Sequence, residues 1–240
     1  MTLSAIIFDV DGTLADTERD GHRTAFNAAF AEAGLPWRWD ETLYGQLLSV
    51  TGGKERIQHF ASLHDPGFLG RPDCEGQIAR LHAAKTRHFV ALLEAGGIPL
   101  RPGVAQLIHE SRAAGVRLAI ATTTSPENVS ALLRVSLGAD AASWFAAIGA
   151  GDVVPAKKPA PDIYHWVLQR LQLPAAECLA IEDSAHGLSA SRGAGIPTLI
   201  TTNGYTAEQN FSGALAVLPD LRQTGLDNIR QIFCNATRTG

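Results

Sequence analysis

The chain has no block of basic residues: 20 Lys and Arg stand against 24 Asp and Glu, for a formal charge of -4. That balance argues against general affinity for nucleic acid, while leaving room for a local positive pocket around a small phosphorylated ligand. No apolar stretch approaches the length that crosses a bilayer. No leader pattern opens the chain, since strand-like residues begin almost at Met1. Cysteine is scarce, and Cys74, Cys178 and Cys234 are odd in number and lack metal-ligand spacing, so reduced thiols are expected. Without a secretion signal, the sequons at Asn128-Val129-Ser130 and Asn235-Ala236-Thr237 are read as chance. These absences together predict a cytosolic protein with no nucleic-acid and no membrane partner. What is present is a soluble, core-forming composition: 240 residues, 45% hydrophobic and 18% charged. That suits one large domain or a domain carrying an insert.

The chain is organised around Ile6–Leu14, Ile-Ile-Phe-Asp-Val-Asp-Gly-Thr-Leu. The apolar run Ala5–Phe8 reads as a short buried strand ending at Asp9. Gly12 then frees the backbone to turn. In an open α/β sheet, chemistry gathers at the carboxyl ends of strands. Asp9 at the tip could attack phosphorus, and Asp11 just beyond could carry a proton. An Asp-rich turn is also common as punctuation. A calcium loop is excluded, because a loop begun at Asp9 has Leu14 where the tight-turn glycine belongs and Asp20 as its twelfth residue.

From Asp16 to about Gly97 the periodicity is helical, with no convincing strand. Helices are predicted around Phe26–Ala33, over Glu41–Ser49, from about Lys54, and over about Cys74–Glu94. Strand–helix alternation resumes near Ile98. Strands are predicted at Val116–Ala121, Ala146–Ala150, Cys178–Ile181, Thr198–Thr201 and Leu215–Val217. Helices follow Pro102, start near Glu127, and cover Pro161–Leu171, Ala185–Gly193 and Asp227–Phe233. The expectation is an α/β fold, a doubly wound parallel sheet of residues 1–15 and 98–240, with a helical domain of residues 16–97 inserted after the first strand. The polar tail Asn235–Gly240 is expected to be poorly ordered.

Three later signals also fall at strand ends. Thr122, with Thr123 beside it, can hold a phosphoryl oxygen, or simply open a helix. Lys158, ahead of Pro159-Ala160-Pro161, can balance charge on a transferring phosphoryl group, or sit exposed in a loop; Lys157 is its neighbour. Asp183, with Glu182, can bind a hard cation through oxygen, or complement a helix dipole.

Asp-x-Asp-Gly-Thr, then Thr, then Lys-Pro, then Glu-Asp-Ser, each after a strand, resembles the haloacid dehalogenase-like phosphohydrolases over essentially the whole chain. The resemblance implies a Rossmann-like core with Asp9 as nucleophile forming an aspartyl-phosphate and Asp11 as acid and then base. It also implies magnesium, held by Asp9, the Asp11 carbonyl and Asp183, with Glu182 assisting. The halide-removing branch lacks the second Asp, so Asp11 argues against dehalogenation. The insert resembles the family's helical cap, whose crossings near Ala15-Asp16 and Gly97–Leu100 would act as hinges.

In the insert, Glu18 and His22 follow the first motif, where resemblance to related mutases implies that His22 meets the substrate or the acid/base carboxylate. Thr51-Gly52-Gly53-Lys54-Glu55-Arg56 opens a helix whose free amides suit an anion. Gly53, Lys54 and Arg56, with Lys85 on a later helix, are candidates for a second phosphate distant from the one removed. A solvated helix face is the alternative for each, and a buried, hydrogen-bonded imidazole is the alternative for His22. The insert and Lys157–Tyr164 resemble the CbbY-type phosphatases, which remove one phosphate from xylulose 1,5-bisphosphate, an inhibitory by-product of Rubisco. That resemblance implies a sugar-bisphosphate phosphatase acting at the 1-position; the chain is expected to be a monomer. β-Phosphoglucomutases, phosphoglycolate phosphatases and an inactive binding protein on the same fold are the rivals.

Overall fold

A computed structural model describes residues 2–236 of the chain. Six parallel strands form one sheet: β1 (Ala5–Phe8), β2 (Arg117–Ala121), β3 (Phe145–Gly149), β4 (Cys178–Glu182), β5 (Thr198–Thr201) and β6 (Ala216–Leu218), in the order β3-β2-β1-β4-β5-β6. β1 pairs with β2 on one side and β4 on the other, with Phe8 opposite both Ile120 and Ile181. The inner strands are continuous apolar runs because both faces are covered. Ile6, Phe8, Leu118, Ile120, Leu179 and Ile181 enter one core cluster, while Ala5, Ile7, Ala119, Ala121 and Ala180 enter the other. The period-two alternation thus sorts side chains between two helical layers. α6 (Val104–Ala113), α7 (Pro126–Leu137) and α10 (Leu226–Ala236) supply the first layer. α8 (Asp162–Leu171) and α9 (Ala185–Gly193) supply the second. The expected doubly wound parallel sheet is present.

Between β1 and α6 lie α1 (Arg23–Glu32), preceded by a wide turn at Glu18–His22, then α2 (Glu41–Leu47), α3 (Gly53–His64), α4 (Pro66–Leu69) and α5 (Cys74–Glu94). They share an aromatic cluster of Phe26, Phe30, Trp37, Trp39, Tyr44, Phe60 and Phe68. The root of this bundle is not separate from the sheet layer. Ala25, Phe89 and Leu93 belong to the first core cluster, and α5 packs on α7.

Most expected elements appear within one or two residues. The final helix is the main difference: it runs from Leu226 to Ala236, so Asn235 is helical rather than part of a loose tail. Residues 237–240 of that tail lie outside the described residues. The helix extends because Ile229 and Phe233, one turn apart and both fully buried, anchor it on the core. Asn128 is 1% exposed, which closes its sequon to modification. Cys74 and Cys178 are thiols. Among the described residues, no helix is long and apolar enough to cross a membrane.

Candidate active site

The carboxyl ends of β1, β2 and β4 point into one cleft of about 320 Å³, lined among others by Asp9, Asp11, Thr122, Thr123, Lys158, Glu182 and Asp183. The strand order reverses at β1 and β4, and loops leaving in opposite directions open a crevice there. All four strand-end signals of the sequence therefore converge.

Lys158 is the centre of charge. Its Nζ donates to Asp9 Oδ1 at 2.7 Å, to Glu182 Oε1 at 2.5 Å and to the Ala121 carbonyl at 2.9 Å. Burial alone would lower the ammonium, but Asp9 and Glu182 hold it above its ordinary range. Tyr164 on α8 also donates to Glu182 Oε1, at 2.5 Å. Burial pushes Asp9 up to about 7 against the pull of Lys158, with Glu182 and Asp11 adding repulsion. Asp183 is raised well above the usual carboxylate range by burial and by the charges of Asp9 and Glu182.

Asp11 sits in the opposite electrostatic setting. Its Oδ1 accepts from Thr17 Oγ1 at 2.6 Å and lies 2.8 Å from His22 Nε2. Burial would raise it, but His22, Thr17 and Lys85 hold it below the ordinary carboxylate range. His22 is 3% exposed and stacked on Phe89 at 4.0 Å, so it meets the expected acid/base carboxylate from behind rather than opening to the cleft. Lys85 is likewise buried, with its ammonium 5.1 Å from the Phe26 and Phe89 ring centres. Burial brings it down to about 8, although Asp11 and Glu18 pull it back up. Its expected place on the cleft wall is corrected: it backs Asp11.

Thr122 Oγ1 accepts from the Thr124 amide at 3.2 Å, which leaves its own O–H to donate outward. Asn128 Nδ2 in turn holds Thr124 Oγ1 at 2.9 Å.

On the helical side, Glu18 and Arg56 line the cleft. Arg56, 8% exposed, donates to the Leu47 and Val50 carbonyls and to Tyr44 OH, and Tyr44 OH donates to Glu18. Gly53 and Lys54 do not line this cleft, which corrects the expectation that they offer a second phosphate site facing the aspartates. They line an adjoining crevice of about 590 Å³ that meets the cleft at Thr123. Lys54 Nζ is drawn there by Asp152, 2.8 Å away, which also accepts from Lys157 at 2.7 Å.

Two lining residues, Asn203 and His186, had no part in the sequence reading. Asn203, just beyond β5, donates from Nδ2 to Asp183 Oδ2 at 2.7 Å. Its signal was its position at a strand's carboxyl end, the rule that found Thr122. Thr51 Oγ1 lies 3.3 Å from His186 Nδ1, across 135 residues of sequence, and only the fold brings them together.

The acidic cluster suits a hard cation. One carboxylate oxygen each from Asp9, Glu182 and Asp183 lies within 4.8 Å of the others, all three residues are buried, and Glu182 Oε2 has no hydrogen-bond partner. Three buried oxygen donors left under-compensated fit a magnesium ion. Two glycines keep this space open. A Cβ on Gly12 (φ +85°) would collide with Asp183 Oδ2, and one on Gly187 with Glu182 Oε2.

A sequence profile of the haloacid dehalogenase-like hydrolases matches residues 3–195. The chain belongs to that family. With Asp11 in place and with the CbbY relatives described next, it is a phosphatase, a phosphoric monoester hydrolase. Protein CbbY of Cupriavidus necator is 55% identical over 219 residues, covering 91% of this chain and 86% of the relative. The crystal structure of a mutant CbbY from Rhodobacter sphaeroides in complex with xylulose-(1,5)bisphosphate has a TM-score of 0.87 at 47% identity, covering 95% of this chain and 99% of that one. A β-phosphoglucomutase from Clostridium difficile matches with a TM-score of 0.81 at 19% identity, over 99% of this chain and 100% of that one, a likeness of fold alone.

Proposed function

We propose that this hydrolase is a magnesium-dependent phosphatase that removes the 1-phosphate of a sugar bisphosphate, most simply xylulose 1,5-bisphosphate. The observation that carries the reading is the pair Asp9 and Asp11: two carboxylates two residues apart in one cleft, one held by Lys158, the other by His22 and Thr17. The 55% identity to CbbY and the likeness to a CbbY bound to xylulose bisphosphate support the choice of sugar.

In this reading Asp9 attacks phosphorus as the bond from phosphorus to the sugar oxygen breaks, and Asp11 gives that oxygen its proton. The sugar leaves as an alcohol and an aspartyl-phosphate remains. Asp11, now ionised, takes a proton from water as the water oxygen attacks phosphorus, the bond to Asp9 breaks, and inorganic phosphate departs. Thr122 donates to a phosphoryl oxygen, and Lys158 offsets charge beside the nucleophile. These roles need Asp9 ionised and Asp11 protonated, the reverse of the order in the structure. Magnesium bound by Asp9, Asp183 and the Asp11 carbonyl, with Glu182 assisting, would supply the positive charge that lowers Asp9. An incoming phosphate dianion would raise Asp11 as it leaves Thr17 and His22.

The helices of residues 16–97 are read as a cap over a core of residues 1–15 and 98–240. Glu18 and Arg56 present charge to the substrate side of the cleft, and Arg56 is the cation there suited to the phosphate that stays. The reading carries with it a cytosolic monomer acting on a small molecule.

The test is phosphate release with and without magnesium from xylulose 1,5-bisphosphate, ribulose 1,5-bisphosphate, β-glucose 1-phosphate and phosphoglycolate. Preference for the first, abolished by chelation and by Asp9→Asn, is expected. Loss of glucose 1-phosphate without phosphate release would make the enzyme a mutase and refute the reading.

A further inference from the structure

Arg101 lies on the second crossing between the helical bundle and the sheet, and it is not among the residues that line the cleft. It is nevertheless 8% exposed, and nearly every donor on its guanidinium is in use. Nη1 donates to the Gly12 carbonyl and to Thr201 O and Oγ1, at 3.1 and 3.2 Å. Nη2 donates to the Thr202 carbonyl and, at 2.9 Å, to that of Pro219. Its Nε stands 3.4 Å from Asp16 on the first crossing, and its own amide donates to the Leu14 carbonyl at 2.8 Å. An antiparallel bridge between Ala15 and Leu100 joins the two crossings alongside.

One buried cation therefore ties five segments together: the loop that carries Asp9 and Asp11, the two crossings, the end of β5, and the turn after β6. Lysine has no planar fork with which to hold carbonyls on several sides. Two of the held segments reach the acidic cluster directly. The Gly12 peptide passes so close to Asp183 that a side chain there would strike its carboxylate. Thr202 leads into Asn203, whose amide holds Asp183 Oδ2. Gly12 is thus confined between Arg101 on one side and Asp183 with Asn203 on the other.

We propose that Arg101 is a positioning residue for phosphoryl transfer: from outside the cleft, it sets the distance between the Asp9–Asp11 loop and Asp183 and fixes the hinge at the same point. This rests on the aspartates acting as proposed above. Without the guanidinium, the carbonyls of Gly12, Thr201, Thr202 and Pro219 lose a shared donor and the loop is free to shift. Displacement of reacting groups by about 1 Å costs on the order of 100-fold in rate.

The test is Arg101→Ala and Arg101→Lys, assayed on both p-nitrophenyl phosphate and xylulose 1,5-bisphosphate, with thermal melts of each protein. Arg101→Ala should lower kcat on the order of 100-fold on both esters, with KM unchanged within roughly twofold, because Arg101 touches no substrate. Arg101→Lys should recover only part of the loss. Guanidinium at tens of millimolar should restore turnover in Arg101→Ala, and urea, similar in shape but uncharged, should not. Wild-type kcat in either folded variant would overturn the proposal. So would a loss confined to KM, equal rescue by urea, or loss of cooperative melting in both variants, which would assign Arg101 to stability alone. A wild-type enzyme active on p-nitrophenyl phosphate but not on the bisphosphate would sink the substrate reading and leave the test of Arg101 intact.

Discussion

Replacing Lys158 by Met keeps most of its length and deletes only the ammonium. That group sits within 2.7 Å of Asp9 and 2.5 Å of Glu182 and is the cation bound to both, with Asp183 a third buried carboxylate in the same cluster. Removing one partner of a buried ion pair costs about 3–5 kcal/mol, because the remaining charge stays buried without compensation. In a chain of this length each kcal/mol lowers Tm by about 2–4 °C, so the melt should move down by roughly 6–20 °C. The loss should also depend on pH. In the parent, burial already holds Asp9 at about 7 and Asp183 above the value of about 4 in the unfolded chain; without the ammonium that pulls Asp9 down, Asp9 rises further. The folded variant then binds more protons than the folded parent from about pH 7 upward, so the variant loses stability more steeply than the parent as pH rises. The gap to the parent protein should be widest near about pH 8 and narrow toward about pH 5. Urea titrations of both proteins in chelator at the two pH values measure it. A gap below about 1 kcal/mol, or one equal at both pH values, would refute the account of Lys158 as the compensating charge.

Gly187→Ala places a methyl against Glu182 Oε2. A gain in helix propensity of about 1 kcal/mol should offset much of the overpacking, leaving Tm little changed while the magnesium needed for half-maximal activity rises roughly tenfold; an unaltered magnesium titration would remove Glu182 from the metal site. Arg56→Met should raise KM for the bisphosphate about 10–100-fold more than for p-nitrophenyl phosphate, the worth of a charged hydrogen bond, whereas Lys54→Ala, docked on Asp152, should alter KM by less than about threefold. The reverse ranking would show that Lys54 leaves Asp152 to meet the substrate. Burial, with Lys85 and Lys54 nearby, brings His82 down to about 4 from an ordinary 6.5. Between those values the unfolded chain binds the extra proton, so this contribution is full above about pH 6.5 and is lost as pH falls toward 4, up to about 3 kcal/mol. His82→Gln should flatten that part of the stability profile, and an unchanged slope would place the proton elsewhere.

The strand-end part of the candidate site was legible in the sequence because those residues are fixed locally. Asp9, Thr122 and Asp183 each follow an apolar run at a strand's carboxyl end, and in a parallel sheet all such ends lie on one edge. Register then sets their separation: Phe8, one residue before Asp9, aligns with Ile120 and Ile181, each two residues before Thr122 and Asp183. The same logic extends to Asn203, two residues beyond the end of β5.

The helical insert obeyed no such rule. Its helices were readable from their period, but period says which face is buried and not what a polar residue on the other face will meet. Lys54 followed a Gly-Gly helix start that suits an anion, yet its long flexible stem let Asp152, 98 residues away in sequence, capture it. Lys85 read as a solvated or phosphate-binding lysine and became a buried cation between two phenylalanines. Arg101 carried no sequence signal, because its partners are carbonyl oxygens, which every residue possesses. The sequence by itself determined the sheet, its two helical layers and the residues at the strand ends. Only the tertiary structure decided which charges pair across the cleft and which cation holds the Asp9–Asp11 loop, since those choices depend on distances between segments that the chain brings together only by folding.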